Sequence, residues 1–517
     1  MKLEQHQLKS RVAPIYHLVD DVLLEIFVHV VRTTAILPTR SPHQHPAKTL
    51  SHVSRRWRSI ALSSPHLWTK LYIACPAFEY LKPSPQFFLS CSRSLPLDVL
   101  ICRTDFDVTH SDDVARVSTI VRALLPSVNR WKKVEVYLSA FEDDAYLVPL
   151  LQCDPASYSQ LEILKIDVMS DKVNEFAILC SPALKSLKLK TWKATWAVPS
   201  SWSQLGVLEV RAGVDQGVVA AVMSNCPSLS KLTIKVEEDA SILEFPAPIE
   251  ELVHHSLTFL SIRYKESSDL SLFFVPQTPA LQTFHLSYDL WSELDEDDIS
   301  SVQSSILRVV RSCALCLVDL KLHDCLFEEA AVIDLLVLLP NLKRLDIAAV
   351  GSALTVQLFK SLVRLPDHAQ GRMSGSAICP NLQSLQLQVQ DDALSDADQR
   401  IDVTFSLLSA LITRGIQTVS INSDAWRVVH PRDENGNLKS HIQIPDGARE
   451  EASFRALKLE EVSRRIAEMN KVQGMGRLKL LSDHRPGRWD REDLVGDDGT
   501  PRYDVYLIGR CIVYEAS

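Results

Sequence analysis

The sequence predicts an α/β chain in three parts: a short helical module, a long solenoid of helix–strand repeats, and a closing element at the C-terminus. Three observations carry this prediction. An apolar–x–x–apolar–x–apolar pattern begins ten times, first at Leu161 and last at Ile416. Five of these units have a proline two residues ahead of their first apolar residue. Residues 16–73 instead show the helical period, with apolar residues three and four apart.

In the helical module, Leu18, Val22, Ile26 and Val30 fall every four residues, with Leu23 and Phe27 beside them. That is one apolar stripe on a helix. Asp20 and Asp21 lie in its first turn, where the helix dipole favours negative charge. Pro38, Pro42 and Pro46 stop the helix within a turn-rich insert, Thr33–Pro46. A second helix follows on Leu50, Val53, Trp57 and Ile60, with Arg55, Arg56 and Arg58 on its other face. Ser63-Ser64-Pro65 reads as a cap with proline at the first position of a short third helix through His66, Leu67 and Trp68. Helices this short cannot bury so much apolar side chain against one another. Part of the stripe needs a partner, either the rest of the chain or another protein.

These residues resemble an F-box. HLVDDVLLEIF (His17–Phe27) followed by HVSRRWRSIALSSPHLW (His52–Trp68) is similar to the two family blocks, in order. Leu18, Leu23, Ile26, Phe27, Val53, Arg55, Arg56, Trp57, Leu67 and Trp68 match position for position. Val19 stands where the family usually has proline, Ser54 where it often has cysteine, and the insert is longer than usual, as in many fungal members. The resemblance covers residues 16–73. The alternative reading makes the same helices a cap on the repeat array.

The strong repeats begin at Leu161, Leu184, Leu205, Leu229, Leu257, Leu281, Leu317, Leu342, Leu382 and Ile416. Weaker versions start at Trp68, Leu97 and Trp131. The last two apolar positions of each unit alternate, which is the strand period. Pro182, Pro227, Pro279, Pro340 and Pro380 end what precedes them and push the chain extended. Helices are expected over Val214–Asn225 and Glu328–Leu339. Recurrence every 20–40 residues, about one strand each, is a solenoid signature. The pattern resembles leucine-rich repeats, but the usual Asn or Cys after the strand occurs only at Cys325, so an irregular horseshoe is expected.

The expected organisation is a tail over 1–15, the F-box over 16–73, repeats over 74–425, a loop or linker over 426–447 and a cap over 448–517. The cap comprises a helix over Ala448–Asn470 and a β-prone segment over Arg502–Tyr514.

Composition narrows the function. The 517-residue chain has 55 Lys and Arg against 64 Asp and Glu, a net charge of −9, which argues against a general nucleic-acid coat protein. With 46% hydrophobic residues it has enough apolar side chain to fold rather than remain disordered. The apolar runs Val22–Val31 and Val332–Leu339 are about half a membrane span and each carries an acid. Eleven scattered cysteines, no glycosylation sequon and no signal-peptide core point to free thiols in the cytoplasm or nucleus. Phosphate-binding loops, nucleophile elbows and metalloprotease motifs are missing from the sequence, so no catalytic residue, cofactor or metal is expected. Cys313, Cys316, His323 and Cys325 lack zinc spacing, His43 and His45 read as a solvated loop, and Asp295–Asp298 as an exposed acidic loop.

One basic stretch stands out. Lys185, Lys188 and Lys190 occupy the non-core positions of a repeat strand, interleaved with Trp192, Trp196 and Trp202. Exposed tryptophan with basic neighbours is a hot-spot composition, which makes Lys185, Lys188, Lys190 and Trp192 candidate substrate contacts; the alternative packs the tryptophans inside and leaves the lysines solvated. The F-box and repeat resemblances together imply a non-catalytic substrate receptor of a Skp–cullin–F-box ubiquitin ligase. They imply that Leu18, Val19, Val22, Leu23, Ile26, Phe27 and Trp57 bury against the Skp adaptor, which links to a cullin, and that the repeats hold a target protein. The alternative is a repeat scaffold whose F-box-like helices only cap it.

Overall fold

The computed structural model describes residues 14–33, 45–75, 85–103, 119, 121–138, 153–168, 177–190, 193–194, 198–214, 216–236, 253–265, 277–289, 296–323, 329–348, 378–389, 418–423, 477–482 and 510–515. The chain forms two compact units, Met1–Leu252 and Val253–Ser517. Their division falls inside the span expected to be one repeat domain. The loop or linker over 426–447 and the helix over Ala448–Asn470 lie outside the described residues, as do Cys325 and Trp192.

The first unit opens with a 3-10 turn, Pro14–His17, then helix α1, Asp20–Thr33. The single second helix expected from sequence is two helices, α2 (Pro46–Val53) and α3 (Arg55–Ser63). The break is local chemistry. Ser54 adopts extended backbone, φ −155° and ψ 166°, and its hydroxyl accepts from the Trp57 N–H at 3.1 Å. Ser54 thereby ends one helix and caps the next. Pro65 opens a 3-10 turn, Pro65–Trp68, although Ser64 makes no side-chain capping bond.

Strands follow in chain order: β1 (Lys70–Cys75), β2 (Leu97–Arg103), β3 (Trp131–Leu138), β4 (Ile163–Val168), β5 (Ser186–Lys190), the two-residue β6 (Lys193–Ala194), β7 (Val207–Val214) and β8 (Lys231–Val236). Helix α4 (Pro85–Ser92) precedes β2, and α5 (Gln216–Asn225) precedes β8. All the strand pairs are parallel, running β1-β2-β3-β4-β5-β7-β8 with β6 beside β7. The register aligns equivalent repeat positions. Leu71, Val99, Val134, Leu164, Leu187, Leu208 and Leu232 form one buried row.

The second unit repeats the scheme with β9 (Phe259–Lys265), β10 (Thr283–Asp289), β11 (Asp319–His323), β12 (Arg344–Ala348), β13 (Ser384–Val389) and β14 (Thr418–Ser423), all parallel. Leu260, Phe284, Leu320, Leu345 and Leu385 form its buried row. Helices α6 (Glu296–Cys313) and α7 (Glu329–Val337) cross between strands. The expected acidic loop at Asp295–Asp298 is in part the first turn of α6, a site where the helix dipole favours acids. Two antiparallel strands close this sheet: β15 (Arg477–Ser482) pairs with β16 (Arg510–Glu515), which pairs with β14. The β-prone segment at Arg502–Tyr514 supplies β16, and β15 was not anticipated.

Among the described residues, the 21-residue step from Leu184 to Leu205 carries the 3-10 turn Ser200–Gln204, and the 36-residue step from Leu281 to Leu317 carries the 18-residue α6. All five repeat prolines lie in turns that immediately precede a strand. A backbone ladder ties the residues after each leading leucine together: Lys185 N–H to Glu162 C=O, Gly206 to Lys185, and Ser230 to Gly206, each at 2.8–2.9 Å. In the turns ahead of β12 and β13, Asn341 donates to Leu315 C=O at 2.9 Å and Asn381 to Pro340 C=O at 3.0 Å. Each unit by itself has the α/β architecture of a leucine-rich-repeat-like solenoid, with one parallel strand per repeat.

Candidate partner-binding surfaces

Helix α1 has more apolar side chain than its neighbours can cover. Leu23, Phe27 and Val31, four residues apart, face inward and are buried, and the Phe27 ring meets Trp57 at 4.8 Å. Rotated by one residue, Val22 and Ile26 lie on an adjacent stripe and stay open, at 44% and 39% exposure, with Val19 at 61% just ahead of the helix. The seven expected adaptor contacts therefore divide. Val19, Val22 and Ile26 are available. Leu18 and Trp57 are half-buried. Leu23 and Phe27 are buried within their own module.

Arg56 on α3 fixes this surface. Its guanidinium donates to the Tyr16 C=O at 3.0 Å, to the Leu18 C=O, and to Asp20 Oδ1 at 2.8 Å from Nε. These bonds hold the segment Tyr16–Asp20, which includes Val19. Arg58 donates to the Ser51 C=O at 3.0 Å and ties α3 to the end of α2.

His45 corrects another expectation. It is no solvated loop residue: it caps α2 and joins the module to the sheet. Its Nδ1 accepts from the Ala47 N–H at 3.2 Å, and its Nε2 lies 3.0 Å from the Lys70 C=O. A carbonyl only accepts, so Nε2 carries the proton. Its ring centroid lies 5.8 Å from that of Trp68 and 4.9 Å from that of Phe88. Burial lowers its pKa to about 4, against the raising effect of the Lys70 carbonyl. His45 followed by Pro46 at the helix start was the available sequence signal.

The open face of the first sheet is charged. Glu135 lies between Lys133 at 2.8 Å and Lys165 at 2.7 Å. Glu209 lies between Lys188 and Arg211, the latter at 2.8 Å. Burial pushes both carboxyls up, but the hydrogen bonds and charges of the flanking cations outweigh it and hold them below the ordinary value. Lys185 pairs with Glu162 at 2.9 Å and Lys190 with Asp167 at 3.1 Å. The three candidate lysines thus lie on one surface and in a paired network. Trp202 does not join them. It is fully buried, and its indole N–H donates to the Leu179 C=O at 2.7 Å.

The second unit has a smaller polar cluster. Asp319 Oδ2 accepts from Arg344 Nε at 2.8 Å, and Asp346 Oδ2 lies 3.2 Å from Lys321 and 3.1 Å from His323. Burial raises both carboxyls, but their basic partners hold them below the ordinary range. Among the described residues no three acids, histidines or cysteines gather as a metal site, and no helix is long and apolar enough to cross a membrane. Cys313 is buried, with its thiol 3.3 Å from the Val309 C=O and its pKa pushed up to about 12 by burial.

No family model matches the chain, and no curated protein matches it. Among solved structures it is similar to a leucine-rich-repeat protein of Leptospira interrogans, at 12% identity and a TM-score of 0.27, over 74% of this chain and 96% of that one. At that score the likeness adds nothing to the fold, which rests on the strands described above.

Proposed function

We propose that this chain is the substrate-receptor subunit of a Skp–cullin–F-box ubiquitin ligase. In this reading Val19, Val22 and Ile26 dock the Skp adaptor, and the repeat sheet holds a target protein. The observation that carries it is the exposed stripe on α1, which lies in the segment where the F-box resemblance puts the adaptor contact. The stripe would be the apolar centre of an interface of about 1,600 Å² in total. Leu23, Phe27 and Trp57 would support that surface from beneath. The receptor performs no covalent step; it acts by proximity, holding a target lysine near the ubiquitin-charged enzyme carried by the cullin scaffold.

A capping role is favoured by a specific observation too. His45 and Trp68 bind the module to Lys70 and to α4, so the helices also close the start of the sheet. Capping uses the inward side of the module and leaves the stripe open, so the two roles are compatible.

Co-purification with a Skp adaptor tests the reading. The wild type should recover the adaptor, and Val22→Asp/Ile26→Asp should lose it while keeping its circular dichroism spectrum. Equal recovery by both proteins, or none by the wild type, would leave the capping role alone.

A further inference from the structure

We propose that the open face of the first sheet binds an acidic protein segment in extended form. The proposal rests on the receptor reading and specifies the class of target. On the open face of the first sheet Lys132, Lys133, Lys165, Lys185, Lys188, Lys190 and Arg211 pair with Glu135, Glu162, Asp167 and Glu209, seven cations against four carboxylates on a chain whose net charge is −9. Strands β9 to β14 carry four against three. Among the described strands the larger positive surplus is therefore on the first sheet.

Its arrangement is layered. The Glu209 side chain lies on the floor at 11% exposure, while its partners Lys188 and Arg211 rise to 41% and 67%, and Lys190 to 51%. Glu135 is held in the same way beneath Lys133 and Lys165. The floor carboxylates fix the stems of the long basic side chains and leave their heads toward water. Less side-chain freedom then remains to be lost on binding. Register sets Lys165 beside Lys188 and Asp167 beside Lys190. Neighbouring strands are about 4.8 Å apart, so an extended segment crossing them meets basic heads at intervals its own carboxylates can match.

A protein segment fits better than a nucleic acid. Single-stranded nucleic acid needs aromatic platforms as well as charge. Among the described residues of these strands, the one exposed large aromatic is Tyr137. Among the described residues of these strands no exposed apolar stripe accompanies the charge, so a membrane surface fits no better.

The test uses the full chain and three labelled probes: an alternating Glu–Ser peptide, an alternating Lys–Ser peptide and oligo-uridine. Fluorescence anisotropy is read at low and high salt. The acidic peptide should bind and weaken with salt. Lys190→Glu/Arg211→Glu should lower its affinity about tenfold or more, while adaptor recovery stays unchanged. Lys190→Gln/Arg211→Gln, which adds no repulsion, should show a smaller loss and guards against misfolding of the reversal variant. Tighter binding of oligo-uridine, no preference for the acidic peptide, or equal affinity in all variants would overturn the proposal. Failed adaptor recovery by the wild type would instead sink the receptor reading, so the two failures are distinct.

Discussion

The strands and helix α1 treat apolar residues differently. In β4, β5, β7 and β8, the inward leucines Leu164, Leu187, Leu208 and Leu232 are fully buried and the intervening positions are largely polar. In α1, Leu23 and Phe27 are equally buried, yet Val22 and Ile26 beside them are open. A strand has two faces, and a repeat needs only one apolar. Helix α1 carries an apolar arc wider than α2 and α3 can cover. What the fold consumes is thereby separated from what it leaves for a partner.

The contrast is sharpest within α1. Phe27→Ala removes a ring buried against Trp57 and should cost about 3–5 kcal/mol in urea unfolding. Ile26→Ala, one residue away, should cost about 0.5 kcal/mol or less. Comparable costs would break the division of the helix into two sides. In the sheet, Leu187→Ala should cost about 2–5 kcal/mol, while Ser186→Ala beside it should be near neutral.

The junction between the two regions should be pH-sensitive. His45 must stay neutral to accept from Ala47, and its folded pKa of about 4 lies below the unfolded value of 6.5. The unfolded chain therefore binds a proton first as pH falls. Stability is full above pH 6.5, declines toward pH 4, and loses at most about 3 kcal/mol from this group. His45→Gln should flatten that part of the profile. An unchanged slope would remove His45 as the cause. A smaller effect is expected for Arg56→Ala, about 1 kcal/mol, with faster amide exchange confined to residues near Tyr16–Asp20. Unchanged exchange there would show that Arg56 does not hold the docking segment.

The strands were legible because each repeat writes its core in the same three positions. Even the weak units at Trp68, Leu97 and Trp131 produce β1, β2 and β3. The α2–α3 break was not legible, because Leu50, Val53, Trp57 and Ile60 keep helical spacing straight through Ser54. Only the hydroxyl's bond to the Trp57 N–H reveals it. At the surfaces, periodicity located α1's stripe but could not say which half is covered, since that depends on Trp57 packing from a distant helix. Trp202 follows the packed alternative: it is buried and its indole satisfies a carbonyl in the adjoining turn.

The central claim is that a second polypeptide covers the outer stripe of α1. Maleimide labelling of Ile26→Cys, resolved by mass spectrometry and compared with Phe27→Cys, tests it most directly. Ile26→Cys should react readily in the isolated chain and Phe27→Cys slowly. Adding a Skp adaptor should slow Ile26→Cys about tenfold or more, as expected for a residue at the dry centre of an interface. Slow labelling of Ile26→Cys before the adaptor is added, or an unchanged rate after it, would contradict the account.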